Sequence, residues 1–217
     1  MPEDGPRHTL CGRLSGILVL TLILRGARMS RRVTLTSLSA LFGLSLALSA
    51  PAANAALPQG SEAPNFTLPS TQNGRVKPYI LRDALSKGPV VLYFYPAAFT
   101  KGCTAEANGF ADAMPRFTAL GATVIGVSMD GIDKLDDFSV SQIRGLFPLA
   151  SDTDGKVARL YDAKMPMLDI AQRVTYVIAP SRRIIATISS ETPANHIEKA
   201  LAALQAFKSV TAENQKK

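Results

Sequence analysis

One cysteine stands where two kinds of sequence meet. Cys103 follows Val90-Val91-Leu92-Tyr93-Phe94-Tyr95, a β-branched and aromatic run that reads as a strand buried on both faces. Pro96 ends that run, because proline cannot donate to a sheet ladder. A short loop closing at Gly102 leads into Thr104-Ala105-Glu106-Ala107, a helix-favouring stretch. The first turn of a helix presents unpaired N–H groups and the positive end of the dipole. A thiolate, the nucleophilic form of cysteine, is stabilised there. The plain alternative is a small buried hydrophobe. Ionisation alone does little: a free thiol has a pKa of about 8.5 and is a few per cent ionised near neutral pH. Lowering it to about 6 raises the thiolate fraction roughly thirtyfold, while nucleophilicity falling with a slope of about 0.4–0.5 removes roughly tenfold. Faster chemistry needs donors aimed where charge develops. Thr100 lies three residues before Cys103, so its hydroxyl could face the sulfur across the loop. The N–H groups of Cys103 and Gly102 point into the same place. A loop threonine otherwise bonds only backbone.

The elements around this junction alternate. Residues 64–69 read as a short edge strand, and Gln72-Asn73-Gly74-Arg75 as the turn of a hairpin to 76–81. A helical turn follows near Asp83, closed by Lys87-Gly88-Pro89. Beyond Cys103, Ala107, Phe110, Ala111 and Met114 recur at helical spacing, and Pro115 is expected to kink or divide that helix. Residues 122–129 form a second apolar strand, and Asp130 is expected to cap a helix over 132–144. A brief strand over 147–150, a helix over 155–161 and a loop over 164–171 come next. Met165 and Met167 read as packing within that loop. Strands over 173–179 and 183–189 make a hairpin, and Thr192-Pro193 open a final helix over 194–207. His196 is placed on its solvated face with no role, and residues 209–217 read as a frayed polar tail. Alternating elements with apolar central strands predict an α/β sandwich, made mixed by the last hairpin.

The spacing Pro96-x-x-x-Thr100-x-x-Cys103-x-x-Glu106 resembles the active-site motif of the peroxiredoxins. Thr-x-Gly-Cys-Thr-x-Glu-Ala resembles the Q-type, or bacterioferritin-comigratory, subgroup in particular. The resemblance covers about residues 58–207. It implies a thioredoxin-like fold with the peroxiredoxin N-terminal hairpin. It also implies a thiol peroxidase that reduces hydrogen peroxide and small organic hydroperoxides through a cysteine sulfenic acid, with no metal, haem or flavin. By resemblance, Arg173 of the Arg-Val-Thr-Tyr-Val-Ile strand activates the thiol and binds peroxide. Glu106 pairs with Arg173, and the Pro96 ring shields the sulfur from water. Read alone, Arg173 is a strand-end charge and Glu106 an acid in a first helical turn.

Two departures matter. Q-type relatives often carry a resolving cysteine five residues after the first, where this chain has Asn108. Ala179-Pro180-Ser181-Arg182 replaces a common Asp-x-x-Gly turn, with little effect expected on the chemistry. Without a second downstream cysteine, the sulfenic acid must be met by an external thiol of thioredoxin, glutaredoxin or glutathione type, or by Cys103 of a second copy. This permits a one-cysteine peroxidase acting as monomer or homodimer. It also permits a non-catalytic redox sensor or thiol-binding module on the same fold. A thiol–disulfide oxidoreductase fits less well, since Thr100 stands where Cys-x-x-Cys would begin.

The chain has 217 residues, a net charge of +7 and two cysteines, Cys11 and Cys103. Six of the 24 basic and two of the 17 acidic residues lie in 1–55, leaving +3 for the rest. No basic stripe points to nucleic acid. A Cys/His metal site is not supported, because only His196 remains beyond residue 55 to join Cys103. Two apolar runs precede the domain, over 14–24 and 35–48. The second follows Met29-Ser30-Arg31-Arg32 and ends in Ala52-Ala53-Asn54-Ala55, a secretory signal pattern with cleavage after Ala55. The twin-arginine pattern matches poorly. Met29 is then the expected true start, residues 1–55 a targeting segment, 56–208 the domain and 209–217 the tail. The expected location is periplasmic or secreted. The alternative is an uncleaved anchor, the one route to a membrane.

Overall fold

The computed structural model describes residues 56–214. The targeting segment, Met29, Cys11 and the cleavage site after Ala55 lie outside the described residues. Within the described residues the strands are β1 (Thr67–Gln72), β2 (Arg75–Ile80), β3 (Val90–Phe94), β4 (Thr123–Ser128), β5 (Leu149–Ser151), β6 (Val174–Ile178) and β7 (Ile184–Ser189). The helices are α1 (Leu81–Leu85), α2 (Lys101–Ala119), α3 (Ile132–Ile143), α4 (Lys156–Leu160) and α5 (Pro193–Asn214). One mixed sheet holds the strands in the order β2-β1-β5-β4-β3-β6-β7. β4 is parallel to β3 and β5, and the other neighbours are antiparallel.

β3 is fully buried because both of its faces are covered. Strand side chains alternate. Val91 and Tyr93, with Tyr95 just beyond the strand, pack with Phe110 of α2, Phe138 of α3 and Leu201 of α5. Val90, Leu92 and Phe94 face Leu85 of α1 and Val157 of α4. A helix layer on each face explains why the run shows no polar alternation. β6 runs antiparallel to β3 with Phe94 opposite Val174 and Tyr93 opposite Thr175. β6 therefore begins at the end of the sheet where β3 hands over to α2. Arg173, one residue before β6, shares the Thr175 face by the period of two, toward α2 and α5.

Several expectations shift. β1 lies later than residues 64–69 and is interior, paired with β2 and with β5. Its Pro69 is tolerated because β5 pairs only with Ser70 and Thr71. α2 begins at Lys101, so Gly102 belongs to the helix and not to the loop. Pro115 sits inside α2 without dividing it. Phe110 and Phe117, ring centroids 5.8 Å apart in one core, hold the helix together across the lost N–H. Gly131, not Asp130, is the residue before α3. α5 continues through Ser209 to Asn214 in place of a frayed tail. Met167 is fully exposed and in a left-handed conformation in a loop closed by the Lys164–Ala171 bridge, so it does not pack.

Candidate active site

Cys103 lies in the first turn of α2, after Thr100 at the N-cap. The first bond of the helix ladder is Thr104 N–H to Thr100 C=O, 2.8 Å. The N–H groups of Lys101, Gly102 and Cys103 therefore have no partner within the helix, and Thr100 makes no side-chain cap. Cys103 is 1% exposed, and no other cysteine lies among the described residues.

Glu106 is three residues on, on the same face, and completely buried. Arg173 crosses from β6 and joins the two. Its Nη1 donates to Glu106 Oε2, and its Nη2 lies 3.4 Å from Cys103 Sγ. A planar fork with fixed donors suits this double contact in a way an ammonium does not. Gly102 permits the approach: a Cβ there would sit 3.1 Å from Arg173 Nη2. Burial pushes the Glu106 carboxyl up to about 7 even though Arg173 pulls it down.

The other predicted residues occupy the preceding loop. Pro96 is half-buried just past Tyr95, whose N–H bonds Val127 C=O at 3.1 Å. The Thr100 hydroxyl donates to Ala97 C=O at 3.0 Å, which leaves its lone pairs, not its proton, for other partners. Phe99 is 48% exposed and left-handed, with its ring edge-on to Phe138 at 5.0 Å.

Two residues do what the sequence reading did not assign to them. Asp130 Oδ2 accepts from Ala98 N–H at 2.7 Å and from Ser128 Oγ at 3.0 Å. It ties the loop before Cys103 to the end of β4. His196 is not on a solvated face but fully buried, with Nδ1 3.5 Å from Glu106 Oε1. The signal was present: 196, 197, 200, 201 and 204 form the buried stripe of α5, and His196 belongs to it. Gly109 lets α5 close on α2, since a Cβ there would meet Ile197 Cδ1 at 3.2 Å.

Comparison with known proteins agrees with this fold. The family model described as AhpC/TSA matches residues 59–187. The crystal structure of peroxidoxin BcpB from Mycobacterium tuberculosis superposes with a TM-score of 0.64 at 38% identity, covering 69% of this chain and 97% of that one. Chloroplastic peroxiredoxin Q of Oryza sativa subsp. japonica is 34% identical over 151 residues, 69% of this chain and 67% of that protein. A bacterioferritin comigratory protein structure from Xanthomonas campestris, titled for its alkyl peroxide reduction activity, matches at 31% identity and a TM-score of 0.59. It covers 66% of this chain and 92% of that one. With its thioredoxin-like mixed sheet and a cysteine at the mouth of α2, the chain belongs to the AhpC/TSA family and is a peroxiredoxin of the Bcp/Q kind, a thiol-dependent peroxidase.

Proposed function

We propose that this chain reduces hydrogen peroxide and small organic hydroperoxides with Cys103 as the nucleophile, Arg173 as its activating group, Thr100 as an acceptor for the peroxide hydrogen through its free lone pairs, Glu106 as the anchor of Arg173, and Pro96 as a shield. The Cys103 thiolate attacks the terminal peroxide oxygen, and the O–O bond breaks. An S–O bond forms to that oxygen, which keeps its hydrogen, so Cys103 becomes a sulfenic acid, and the departing alkoxide or hydroxide takes one proton from solvent. Negative charge moves from sulfur to the leaving oxygen in this step. The Arg173 cation and the free N–H groups of Gly102 and Cys103 stand ready for it without reorganisation. The alkyl peroxide activity named for the Xanthomonas campestris relative supports the hydroperoxide range.

The observation that carries this reading is one guanidinium reaching both a buried sulfur and a buried carboxylate at an open helix N-terminus. An external thiol completes the cycle by attacking the sulfenic sulfur, releasing water and leaving a mixed disulfide for a second thiol. Asn108, half-buried on α2, offers no internal alternative. The N-terminal pattern supports export, with the mature protein periplasmic or secreted.

Stopped-flow mixing of reduced protein with hydrogen peroxide, beside Cys103→Ser, tests the reading. Fast loss of one peroxide per thiol with a sulfenic acid at Cys103 is the expected result. A rate no better than a free thiol would favour a redox sensor or thiol-binding module.

A further inference from the structure

The Glu106 carboxyl is held from one side only. Oε2 accepts from Arg173, while Oε1 is buried with no hydrogen-bond partner. What faces Oε1 is His196 Nδ1, 3.5 Å away, and neither side chain is exposed at all. The imidazole is fixed at both nitrogens: Nε2 is 2.8 Å from Ser190 C=O, and Nδ1 is 2.8 Å from Thr175 Oγ1. A carbonyl can only accept, so Nε2 carries a hydrogen. Nδ1 is the variable atom.

With the ring neutral, Thr175 donates to Nδ1. A charged Glu106 Oε1 would then face a lone pair in a site without water contact, so the proton sits on the carboxyl. With the ring charged, Nδ1–H lies between Thr175 Oγ1 and an ionised Oε1. Both arrangements hold the same single proton.

We propose that Glu106 and His196 share one proton and act as a positioning pair that balances the charge of the Cys103 thiolate. Resting on the assignments made above for Cys103 and Arg173, the buried row from sulfur to imidazole then sums to zero. The thiolate contributes −1, the guanidinium +1 and the singly protonated pair nothing. Adding or removing a charge in this row leaves a net charge buried, which is unfavourable. Conversion of the thiolate to neutral sulfenic acid does that, so the pair releases its proton more readily once Cys103 is oxidised. His196 is thereby a positioning residue that keeps Glu106, and through it Arg173, matched to the state of sulfur.

The surroundings of the ring are few. α2 brings Glu106 and Cys103, and Arg173 and Thr175 come from the β6 side. Ser190 and Glu191 lie ahead of α5, and Lys199 is about one turn beyond His196 on it. Tyr93 and Tyr95 next to Glu106 stay neutral because burial raises both phenols. Lys199 and Glu191 are exposed and screened by salt, so Glu106 and Arg173 decide the outcome.

Ring 15N and 13C spectra of the full chain, taken from pH 4 to 9, test this directly. The sequence has two histidines, and His8→Gln assigns the other one. Reduced protein is compared with Cys103→Ser, which keeps the side-chain size but holds no thiolate. The Nε2–H form is expected for neutral His196. Its titration midpoint is expected to drop by about half a pH unit or more in Cys103→Ser, as loss of a nearby negative charge requires. His8 should not move. Glu106→Gln should lower the His196 midpoint further, since it removes the carboxylate facing Nδ1. Coincident midpoints in reduced protein and Cys103→Ser, or an Nδ1–H tautomer, would overturn the pair even if peroxide is consumed rapidly. A clear shift with slow peroxide consumption would instead sink the peroxidase reading and leave the pair standing.

Discussion

Arg173 is the side chain that touches both charges of the site, and its shape matters as much as its charge. Truncation to Gln removes the cation beside sulfur and strands Glu106, so Arg173→Gln is expected to slow peroxide reduction by about 10²–10³, the usual effect of losing one preorganised donor. Arg173→Lys should recover little, because an ammonium cannot bridge Sγ and Oε2 together. Stopped-flow rates on variants checked by circular dichroism decide both, and near-normal rates would remove Arg173 from the mechanism. A gentler perturbation comes from Gly102→Ala. Its Cβ would press on Nη2 from 3.1 Å, which moves the guanidinium by a few tenths of an ångström. Misplacement of about 1 Å can cost on the order of 10²-fold, so a loss of roughly tenfold or less is expected, with unfolding by urea unchanged. Cys103 and Glu106 were legible in the chain because three residues separate them on one helix. Arg173 was legible only through its motif, because it stands 70 positions along the chain from Cys103.

The loop from Pro96 to Thr100 is a short connection whose shape is imposed from outside. Asp130 reaches back from the end of β4 to the Ala98 N–H, 32 residues away, and Lys134 Nζ holds the other carboxylate oxygen at 2.6 Å. The same loop carries Phe99 in a left-handed conformation that bulky residues resist. Asp130→Ala leaves a buried N–H unpaired, a loss of about 1–3 kcal/mol, and frees the segment that aims the start of α2. Urea unfolding should show that loss, and the folded variant should reduce peroxide more slowly. Lys134→Ala, which removes only a half-exposed i,i+4 pair, should change stability by about 0.5 kcal/mol or less. Equal effects of the two substitutions would show that Asp130 serves α3 alone. This pair of residues also marks the limit of local reading. β3, β4 and β6 announced themselves as apolar runs because both faces of the sheet are covered. Asp130 ahead of an apolar helix looked like a cap, and nothing nearby in sequence reveals a partner 32 residues back. β1 was misplaced because Pro64 to Pro69 alternates as a strand does, while the ladder that selects the register comes from β2 and from β5, far along the chain. His196 was misjudged by type: its position in the 196, 200, 204 stripe said buried, and its polarity said solvent.

Across the whole molecule the two buried groups behind Arg173 tilt stability in opposite directions with pH. Glu106 has its carboxyl raised from 4.5 to about 7, chiefly by burial, so the folded state binds its proton more tightly than the unfolded chain does. Its stabilising share is complete below pH 4.5 and disappears as pH rises to 7, at most about 3 kcal/mol. His196 is lowered below 6.5, again chiefly by burial and then by Arg173 and Lys199, so the unfolded chain binds its proton more tightly. Its share grows as pH climbs toward 6.5. Between about pH 5 and 6.5 the two slopes therefore oppose each other. Single substitutions separate them. Glu106→Gln leaves His196 alone, so stability should rise through this window, by up to about 1 kcal/mol per pH unit. His196→Gln, which can keep a donor toward Ser190, leaves Glu106 alone, so stability should fall. Asp152, also raised by burial, adds a common background to all three proteins and cancels in the comparison. Urea midpoints at half-unit pH steps on the parent and both variants give the slopes. Opposite signs flanking a flatter parent are the expected pattern, whereas three parallel curves would mean that neither group changes its proton on folding. The carboxyl and the imidazole behind Arg173 thus oppose each other in their pH dependence, which is why only single substitutions expose either slope.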